Sequence, residues 1–212
     1  MKTDGMSEAE INARHAEKMR RKKEARDKII ATKTIEKGLL IVHTGKGKGK
    51  STAAFGLVFR ALGNGMKVGI VQFVKGKWQT GERPVLEKFP DQVEIKAMGE
   101  GFTWDTQDRA RDIGAAEAAW AEAKRMIEAA RKDPPDFDLL VFDELNIVLR
   151  YDYLDLHDVV ATLKNRPPNL HIVVTGRNAK PELIEAADLV TEMTEVKHPF
   201  QAGVKAQKGI EF

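Results

Sequence analysis

The stretch HTGKGKGKSTAAFG, His43–Gly56, alternates glycine with lysine and then continues into Ser51 and Thr52. It follows an apolar run typical of a strand and opens a helical segment, which is the context of a phosphate-binding loop. Glycines let backbone N–H groups turn toward phosphate oxygens, and a helix N-terminus favours negative charge. The pattern G-x-x-x-x-G-K-[ST] requires glycine at position 44, where this chain has Thr44. The stretch predicts a phosphate loop with one departure; the alternative is a glycine- and lysine-rich surface turn.

The composition indicates one globular domain. The chain has 212 residues, of which 42% are hydrophobic, and no cysteine. Disulfides, thiolate metal sites and a cysteine nucleophile are therefore excluded. No apolar run is long enough to span a bilayer, and the polar N-terminus has no secretory core, so we expect a cytoplasmic protein without a membrane partner.

The basic charge is concentrated in an N-terminal arm. The formal net charge is +3 and the sequence pI is about 9.0. Residues 1–37 contain eleven Lys/Arg and seven Asp/Glu, a net of +4, so residues 38–212 are near −1. We therefore predict no nucleic-acid partner for the folded domain. Ser7 and Glu10 form a capping-box pattern, which predicts a helix from there to about Ile30 that is either docked or frayed.

Strands and helices alternate after Gly38. Strands are predicted at residues 39–44, 67–74, 93–98, 137–144, 171–176 and 188–193. Helices are predicted at about 105–132, 144–151, 155–165 and 180–187, and another follows the glycine–lysine loop and stops near Gly63–Gly65. Near-continuous Val/Ile/Leu strands separated by helices predict an α/β fold, a mostly parallel six-stranded sheet covered on both faces. The expected class is P-loop NTPase-like, of the RecA-like type, with the arm as residues 1–37 and the domain as residues 38–212. The tail from Lys197 is irregular, with a possible strand.

A phosphate loop needs a metal-binding partner. Lys50 would reach phosphate as a point charge, and Ser51 would offer its hydroxyl to Mg²⁺. Asp143 and Glu144 end a predicted strand and could supply the carboxylate; one of them could instead cap the next helix, and the spacing does not decide which lies nearer the metal. Polar residues at the ends of two other strands could sense phosphate or simply form a polar strand edge; these are Gln72, Thr175 and Arg177.

The segment MGEGFTWDTQ, Met98–Gln107, is unusual because two large aromatic residues flank Thr103 in a glycine-containing loop. In extended chain Phe102 and Trp104 point the same way, at the sheet edge where open α/β folds bind ligands. A broad, flat, apolar ligand would suit this surface. The alternative is that both rings plug the core beneath the loop.

Together these segments resemble the P-loop type of ATP:corrinoid adenosyltransferases. The matching blocks are TGKGKGKSTAAFG, VGIVQFVKG, GERP, MGEGFTWDTQ, FDELN, VVTGRN and VKHPFQAGVKAQKGI, in this order. The resemblance implies an ATP-binding set of Thr44, Gly45, Lys46, Gly47, Lys48, Gly49, Lys50, Ser51, Thr52 and Arg60. It further implies corrinoid binding by Phe102, Thr103 and Trp104, catalytic roles for Lys50, Phe102 and Trp104, and Mg²⁺ binding by Ser51, Asp143 and Glu144.

The resemblance also implies a reaction. Co(I) of a reduced corrinoid attacks C5′ of ATP, which is held in the reverse of the usual P-loop direction, and the whole triphosphate leaves. The aromatic residues would keep Co(II) four-coordinate so that a reduced flavoprotein can reduce it. A homodimer is implied, with the arm lying across the partner's site. The rival interpretations are an ordinary P-loop ATPase or kinase, which would release ADP, and a nucleotide-dependent nucleic-acid binder.

Overall fold

The computed structural model describes residues 6–74, 81–98 and 108–211. The chain forms two compact units, the first ending at Glu36 and the second beginning at Lys37. The described residues contain no helix long and apolar enough to cross a membrane.

The first unit is a single long helix, α1, which spans Glu8–Ala31. Its capping box is complete: the Ser7 hydroxyl accepts the Glu10 N–H at 3.4 Å, and a Glu10 carboxylate oxygen accepts the Ser7 N–H at 2.8 Å. Exposed ion pairs join Glu17 to Arg20 and Arg21, and pairs that are this exposed contribute little to the stability of the helix. No α1 side chain is buried within the described part of the chain. The helix therefore lacks the burial that ordinarily stabilises helices.

The second unit contains a six-stranded parallel sheet. The strands run β1 Leu40–Thr44, β2 Val68–Gln72, β3 Val93–Ala97, β4 Leu139–Asp143, β5 His171–Thr175 and β6 Leu189–Glu192. Their order across the sheet is β3-β2-β4-β5-β1-β6, and every pairing is parallel. The predicted parallel sheet is confirmed.

Helices cover both faces of this sheet, as predicted. They are α2 Lys50–Gly63, α3 Arg83–Leu86, α4 Arg109–Ala129, α5 Leu145–Arg150, α6 Leu156–Lys164 and α7 Pro181–Ala186. Alternate strand residues enter two separate cores: Ile41 packs with α2 and α3, whereas Leu40 and Val42 pack with α4 to α7. The P-loop NTPase-like α/β fold is thus built from two hydrophobic layers.

Two local predictions are corrected. The helix expected from about residue 105 begins at Arg109, because the Asp108 side chain accepts the Arg111 N–H at 3.1 Å and caps it. The described tail contains a short 3₁₀ helix, Pro199–Ala202, and no strand beyond β6.

The strand order brings three functional segments together. The carboxyl end of β5 lies between those of β1 and β4. The loop after β1, Asp143 at the end of β4 and Thr175 at the end of β5 consequently share one region of the sheet edge. The segment that follows β3 starts from the outer edge strand of the same sheet.

Candidate nucleotide-binding site

The backbone of the phosphate loop requires glycine at several positions. Gly45 and Gly49 have φ values of +94° and +105°, which side chains disfavour. A Cβ on Gly45 would lie 2.4 Å from the carbonyl oxygen of Met193, and one on Gly47 would lie 2.6 Å from that of Thr194. Residues 193–194 therefore form a wall against which only a glycine backbone fits.

Thr44 has its own structural role at the position where the pattern has glycine. Its hydroxyl oxygen accepts the Ala179 N–H at 3.0 Å, and its carbonyl accepts the Met193 N–H at 2.9 Å. The Gly47 N–H in turn donates to the Met193 carbonyl at 2.7 Å. The Thr44 hydroxyl, which glycine would lack, thus fastens the start of the loop to the segment that follows β5, whereas backbone hydrogen bonds join the loop to the segment that follows β6.

The two lysines next to the predicted phosphates contact protein oxygens. Lys50 Nζ donates to the Gly47 carbonyl, and Lys48 Nζ lies 2.5 Å from Glu211 Oε2. Burial lowers the pKa of Lys50, and the positive charges of Arg177 and Lys48 lower it further, whereas Glu144 opposes the shift. Cationic side chains therefore converge on the loop, where an anion would relieve their mutual repulsion.

Asp143 is the centre of a buried polar network. Its Oδ1 accepts the Ser51 and Thr175 hydroxyls, each at 2.7 Å, and its Oδ2 accepts Gln72 Nε2 at 3.3 Å. Asp143 and Thr175 are fully buried. The structure thus brings the predicted metal-site residues Ser51 and Asp143 into direct contact.

Glu144 follows in an unusual conformation, with φ at +67° directly before α5. Its N–H donates to the Thr175 hydroxyl at 2.9 Å. Within the described residues its side chain makes no capping hydrogen bond to α5, so the interpretation of Glu144 as a side-chain cap is wrong.

The oxygen donors here fit Mg²⁺ carried by a nucleotide. Mg²⁺ prefers oxygen ligands and commonly takes one or two carboxylates together with substrate phosphates. No cluster of three or more acidic, His or Cys side chains suited to a metal occurs in the described ranges. A hydroxyl and two carboxylates beside a phosphate loop match a site in which protein and nucleotide phosphates would share the coordination of Mg²⁺. They do not match a site in which the protein alone surrounds the metal.

The remaining predicted residues are placed less centrally. Thr52 is exposed in the first turn of α2, and Arg60 is in its last turn, about 15 Å along the axis from Lys50. Lys46 is exposed and lines a cleft of about 430 Å³ with Asn178 and Glu192. The predicted corrinoid residues Phe102, Thr103 and Trp104 lie outside the described residues.

Sequence reasoning missed several contacts of the loop. His43 is buried, its Nδ1 is 3.3 Å from the Lys50 carbonyl oxygen, and burial lowers its pKa. Met193 and Glu211 reach the loop from far along the chain. The matching block near the C-terminus ends at Ile210, one residue before Glu211, and no local pattern pointed to Glu211 or to Met193.

A parallel sheet with a glycine-rich loop after β1 and a hydroxyl–carboxylate pair joining that loop to β4 defines a P-loop nucleotide-binding domain. The family ATP:corrinoid adenosyltransferase BtuR/CobO/CobP matches residues 36–212, and the family Cob(I)alamin adenosyltransferase N terminal matches residues 6–30. The chain belongs to the ATP:corrinoid adenosyltransferase family, which makes it a transferase and confirms the resemblance noted above.

Relatives with the same assignment extend over nearly the whole chain. A corrinoid adenosyltransferase of Sinorhizobium sp is 57% identical, over 95% of this chain and 92% of that protein. One of Pseudomonas aeruginosa is 56% identical, over 96% and 98% respectively. One of Escherichia coli K12 is 46% identical, over 94% and 98%.

Proposed function

We propose that this chain transfers the 5′-deoxyadenosyl group of MgATP to Co(I) of a reduced corrinoid, either cobalamin or cobyrinic acid a,c-diamide, and releases triphosphate. The observation that carries the proposal is the contact of Ser51 with Asp143 directly beside a loop on which Lys48 and Lys50 converge. Such a site can stabilise negative charge that accumulates on a leaving triphosphate.

The main task of the phosphate loop would be to bind the leaving group, which is the triphosphate. Lys50 would exchange the Gly47 carbonyl for a phosphate oxygen, and Lys48 would exchange Glu211 in the same way. Arg177 is near enough to lower the pKa of Lys50, so it adds positive charge on the same side. Co(I) is itself the nucleophile, so no nucleophilic side chain is required.

Mg²⁺ would be held by Ser51 together with Asp143 or Glu144. The metal would neutralise charge on the triphosphate. Asp143 accepts hydrogen bonds from Ser51 and Thr175, which orients it toward the loop, and Glu144 lies one residue further along. These carboxylates act as metal ligands or as orienting groups, not as general bases.

The reversed direction of ATP is taken from the family resemblance, and the strand order sets the geometry that it would require. The segment containing Phe102 and Trp104 leaves β3 after Met98 and reaches α4 at Asp108, whereas the phosphate loop leaves β1, which lies next to the opposite edge and is separated from β3 by three strands. For C5′ to face that segment, the nucleoside must point from the loop toward β4 and β2. The triphosphate then occupies the loop with its far end toward β6.

Phe102, Thr103 and Trp104 are proposed to contact the corrinoid, with both rings excluding axial ligands from Co(II). A reduced flavoprotein would then donate the electron. Phe102→Ala and Trp104→Ala should each slow turnover from Co(II) with a biological reductant far more than turnover from chemically prepared Co(I). Equal losses in the two assays would assign the rings to packing.

The arm is proposed to act as a lid in a homodimer working in the cytoplasm. Helix α1 is capped yet buries no side chain in the described structure, so its stability must come from another surface. A lid across the partner's site would protect Co(I) from water and oxygen. Residues 1–37 then form the lid, and residues 38–212 form the catalytic domain.

Hydrogen exchange tests the lid. The arm should exchange fast in the free protein and slowly with corrinoid and MgATP, and deletion of residues 1–30 should weaken corrinoid binding more than ATP binding. An arm that remains unprotected with both ligands, together with full activity of the deletion variant, would refute the lid.

Product analysis tests the reaction as a whole. Incubation with MgATP and chemically prepared Co(I) corrinoid should yield triphosphate and a cobalt–carbon bond in equal amounts. Release of ADP and phosphate without a cobalt–carbon bond would assign the chain to ordinary ATP hydrolysis or phosphoryl transfer.

A further inference from the structure

Thr175 hydrogen-bonds both acidic residues of the proposed metal site, Asp143 and Glu144. It is fully buried at the carboxyl end of β5. Its hydroxyl donates to Asp143 Oδ1 at 2.7 Å and accepts the Glu144 N–H at 2.9 Å. One hydroxyl group therefore donates a hydrogen bond to one acidic residue and accepts a hydrogen bond from the next residue in the chain.

A second connection joins the same two segments. Asn146 is fully buried, and its Nδ2 donates to the Gly176 carbonyl at 3.1 Å. Gly176 has φ at +128°, and a Cβ there would lie 2.8 Å from the Asn146 Cβ. Residues 143–146 and 175–176 consequently form one interlocked unit at the ends of neighbouring strands.

The Thr175 hydroxyl is important because it hydrogen-bonds the backbone of Glu144, which has an unusual conformation. Glu144 has a left-handed conformation, which is uncommon for a residue with a side chain, and this conformation turns the chain from β4 into α5. The Thr175 oxygen accepts the N–H of that same residue. Loss of the acceptor would remove the hydroxyl's hold on the turn, while loss of the donor would remove one of the two hydroxyl groups that hydrogen-bond Asp143 Oδ1.

We propose that Thr175 is a positioning residue that presets Asp143 and Glu144 for Mg²⁺ before nucleotide binds. This inference rests on the proposed MgATP site. Thr175 acts through the two acidic residues and need not touch phosphate, unlike the phosphate-sensing role that its position at a strand end allowed. Gln72, which contacts the other Asp143 oxygen at 3.3 Å, supports the same orientation from β2.

The test compares Thr175→Val, which keeps the shape and removes the hydroxyl, with Thr175→Ser, which keeps the hydroxyl. Thr162→Val on α6 is a matched control because Thr162 is partly buried in a helix outside the site. Calorimetry measures ATP binding to each full-length protein, once with Mg²⁺ and once with chelator. Residues that orient metal ligands typically affect metal affinity about 10–100-fold, so Thr175→Val should lose roughly tenfold or more in MgATP affinity.

The positioning role of Thr175 requires that Thr175→Val lose affinity for MgATP selectively, compared with its affinity for metal-free ATP. Metal-free ATP should bind Thr175→Val nearly as well as it binds the wild type, and Thr175→Ser should recover most of the MgATP affinity. Equal losses with and without Mg²⁺, or no loss, would overturn the positioning role while leaving the proposed function intact. A wild type that does not bind MgATP would overturn both.

Folding must be checked by thermal denaturation. If Thr175→Val does not fold, Thr175→Ala takes its place under the same criteria. If neither variant folds, Thr175 is required for the fold itself, and the specific role toward Mg²⁺ is rejected.

Discussion

The carboxylate side and the lysine side of the nucleotide site are prepared in opposite ways. Asp143 is buried and is already oriented by Ser51 and Thr175. Lys48 and Lys50 instead contact Glu211 and the Gly47 carbonyl, which are exchangeable oxygen partners. The carboxylate side is thus built into the core, whereas the lysine side would have to exchange these contacts to bind a phosphate as proposed.

This difference separates two kinds of energetic cost. Breaking the buried network leaves polar groups unsatisfied, at about 1–3 kcal/mol each. Breaking the lysine contacts costs less, because Lys48 is half-exposed and such pairs contribute about 0–1 kcal/mol. Substitutions on the two sides should therefore differ in whether they affect stability or only binding.

The largest effect is expected from Lys50→Ala. Adenosyl transfer should fall about 10²–10³-fold, the loss typical when a group that stabilises developing charge is removed. The melting temperature should change little, since the ammonium donates to a loop carbonyl and not to a group of the buried core. Steady-state assays measure the rate of adenosyl transfer, and thermal denaturation measures the melting temperature. Lys88→Ala on an exposed loop is the control. Retained turnover would remove Lys50 from the reaction.

Asp143→Asn should act on stability as well as on binding. An amide nitrogen placed against the Ser51 and Thr175 hydroxyls or Gln72 leaves buried groups mismatched, so the free energy of unfolding should fall by about 1–3 kcal/mol. Denaturant unfolding without ligand provides the measurement. A variant as stable as the wild type would show that the carboxylate side is not preformed.

The pH dependence should come from the lysine side. Burial lowers the pKa of Lys50, so its charge is lost at a lower pH than for an ordinary lysine, and triphosphate affinity should decline correspondingly early on the alkaline side. Bound phosphate favours the charged form, so binding in that range should take up a proton. Calorimetry near pH 9, about one unit below the ordinary lysine value, in buffers of different ionisation enthalpy detects this uptake.

The lowered pKa of Lys50 also determines whether its contribution to the free energy of unfolding rises or falls with pH. Between the folded and unfolded pKa values the unfolded chain binds more protons, so this group makes folding more favourable as pH rises through that window. Lys50→Arg is the control, because a guanidinium keeps its proton throughout. Proton uptake that persists in Lys50→Arg would assign the effect to another group.

The smallest effect is expected from Glu211→Gln. Removing the carboxylate that competes for Lys48 should tighten MgATP binding about two- to fivefold, corresponding to the modest strength of a partly exposed ion pair. Titration calorimetry can resolve this change against Glu185→Gln, an exposed substitution on α7. Weaker binding in Glu211→Gln would mean that the tail assists the nucleotide instead of competing with it.

Local patterns predicted much of this molecule. Apolar runs identified the six strands, and the glycine–lysine pattern correctly placed a loop between β1 and α2, whose phosphate-binding role stays a prediction. The contact of Ser51 with Asp143 followed from the rule that parallel strands end at one edge. These predictions succeeded because each depends on residues close in sequence or on a general property of parallel sheets.

The contacts that sequence reasoning missed depend on strand order. Thr44 meets Ala179 and Met193 only because β5 and β6 flank β1. Glu211 reaches Lys48 across 163 positions. The double hydrogen bond of Thr175 likewise requires β5 to lie beside β4. Without the order of strands, a polar residue at a strand end could equally have met phosphate, metal or water.

The wall at residues 193–194 has a consequence for evolution. Side chains at positions 45 and 47 would collide with backbone carbonyls even if no nucleotide ever bound. A descendant that had lost catalysis would still need both glycines to fold, whereas it could lose Lys50 without harm to its core. Genome searches that rely on the glycines would therefore accept pseudoenzymes, and if Lys50 has its proposed role, the lysine would distinguish working members from inactive ones.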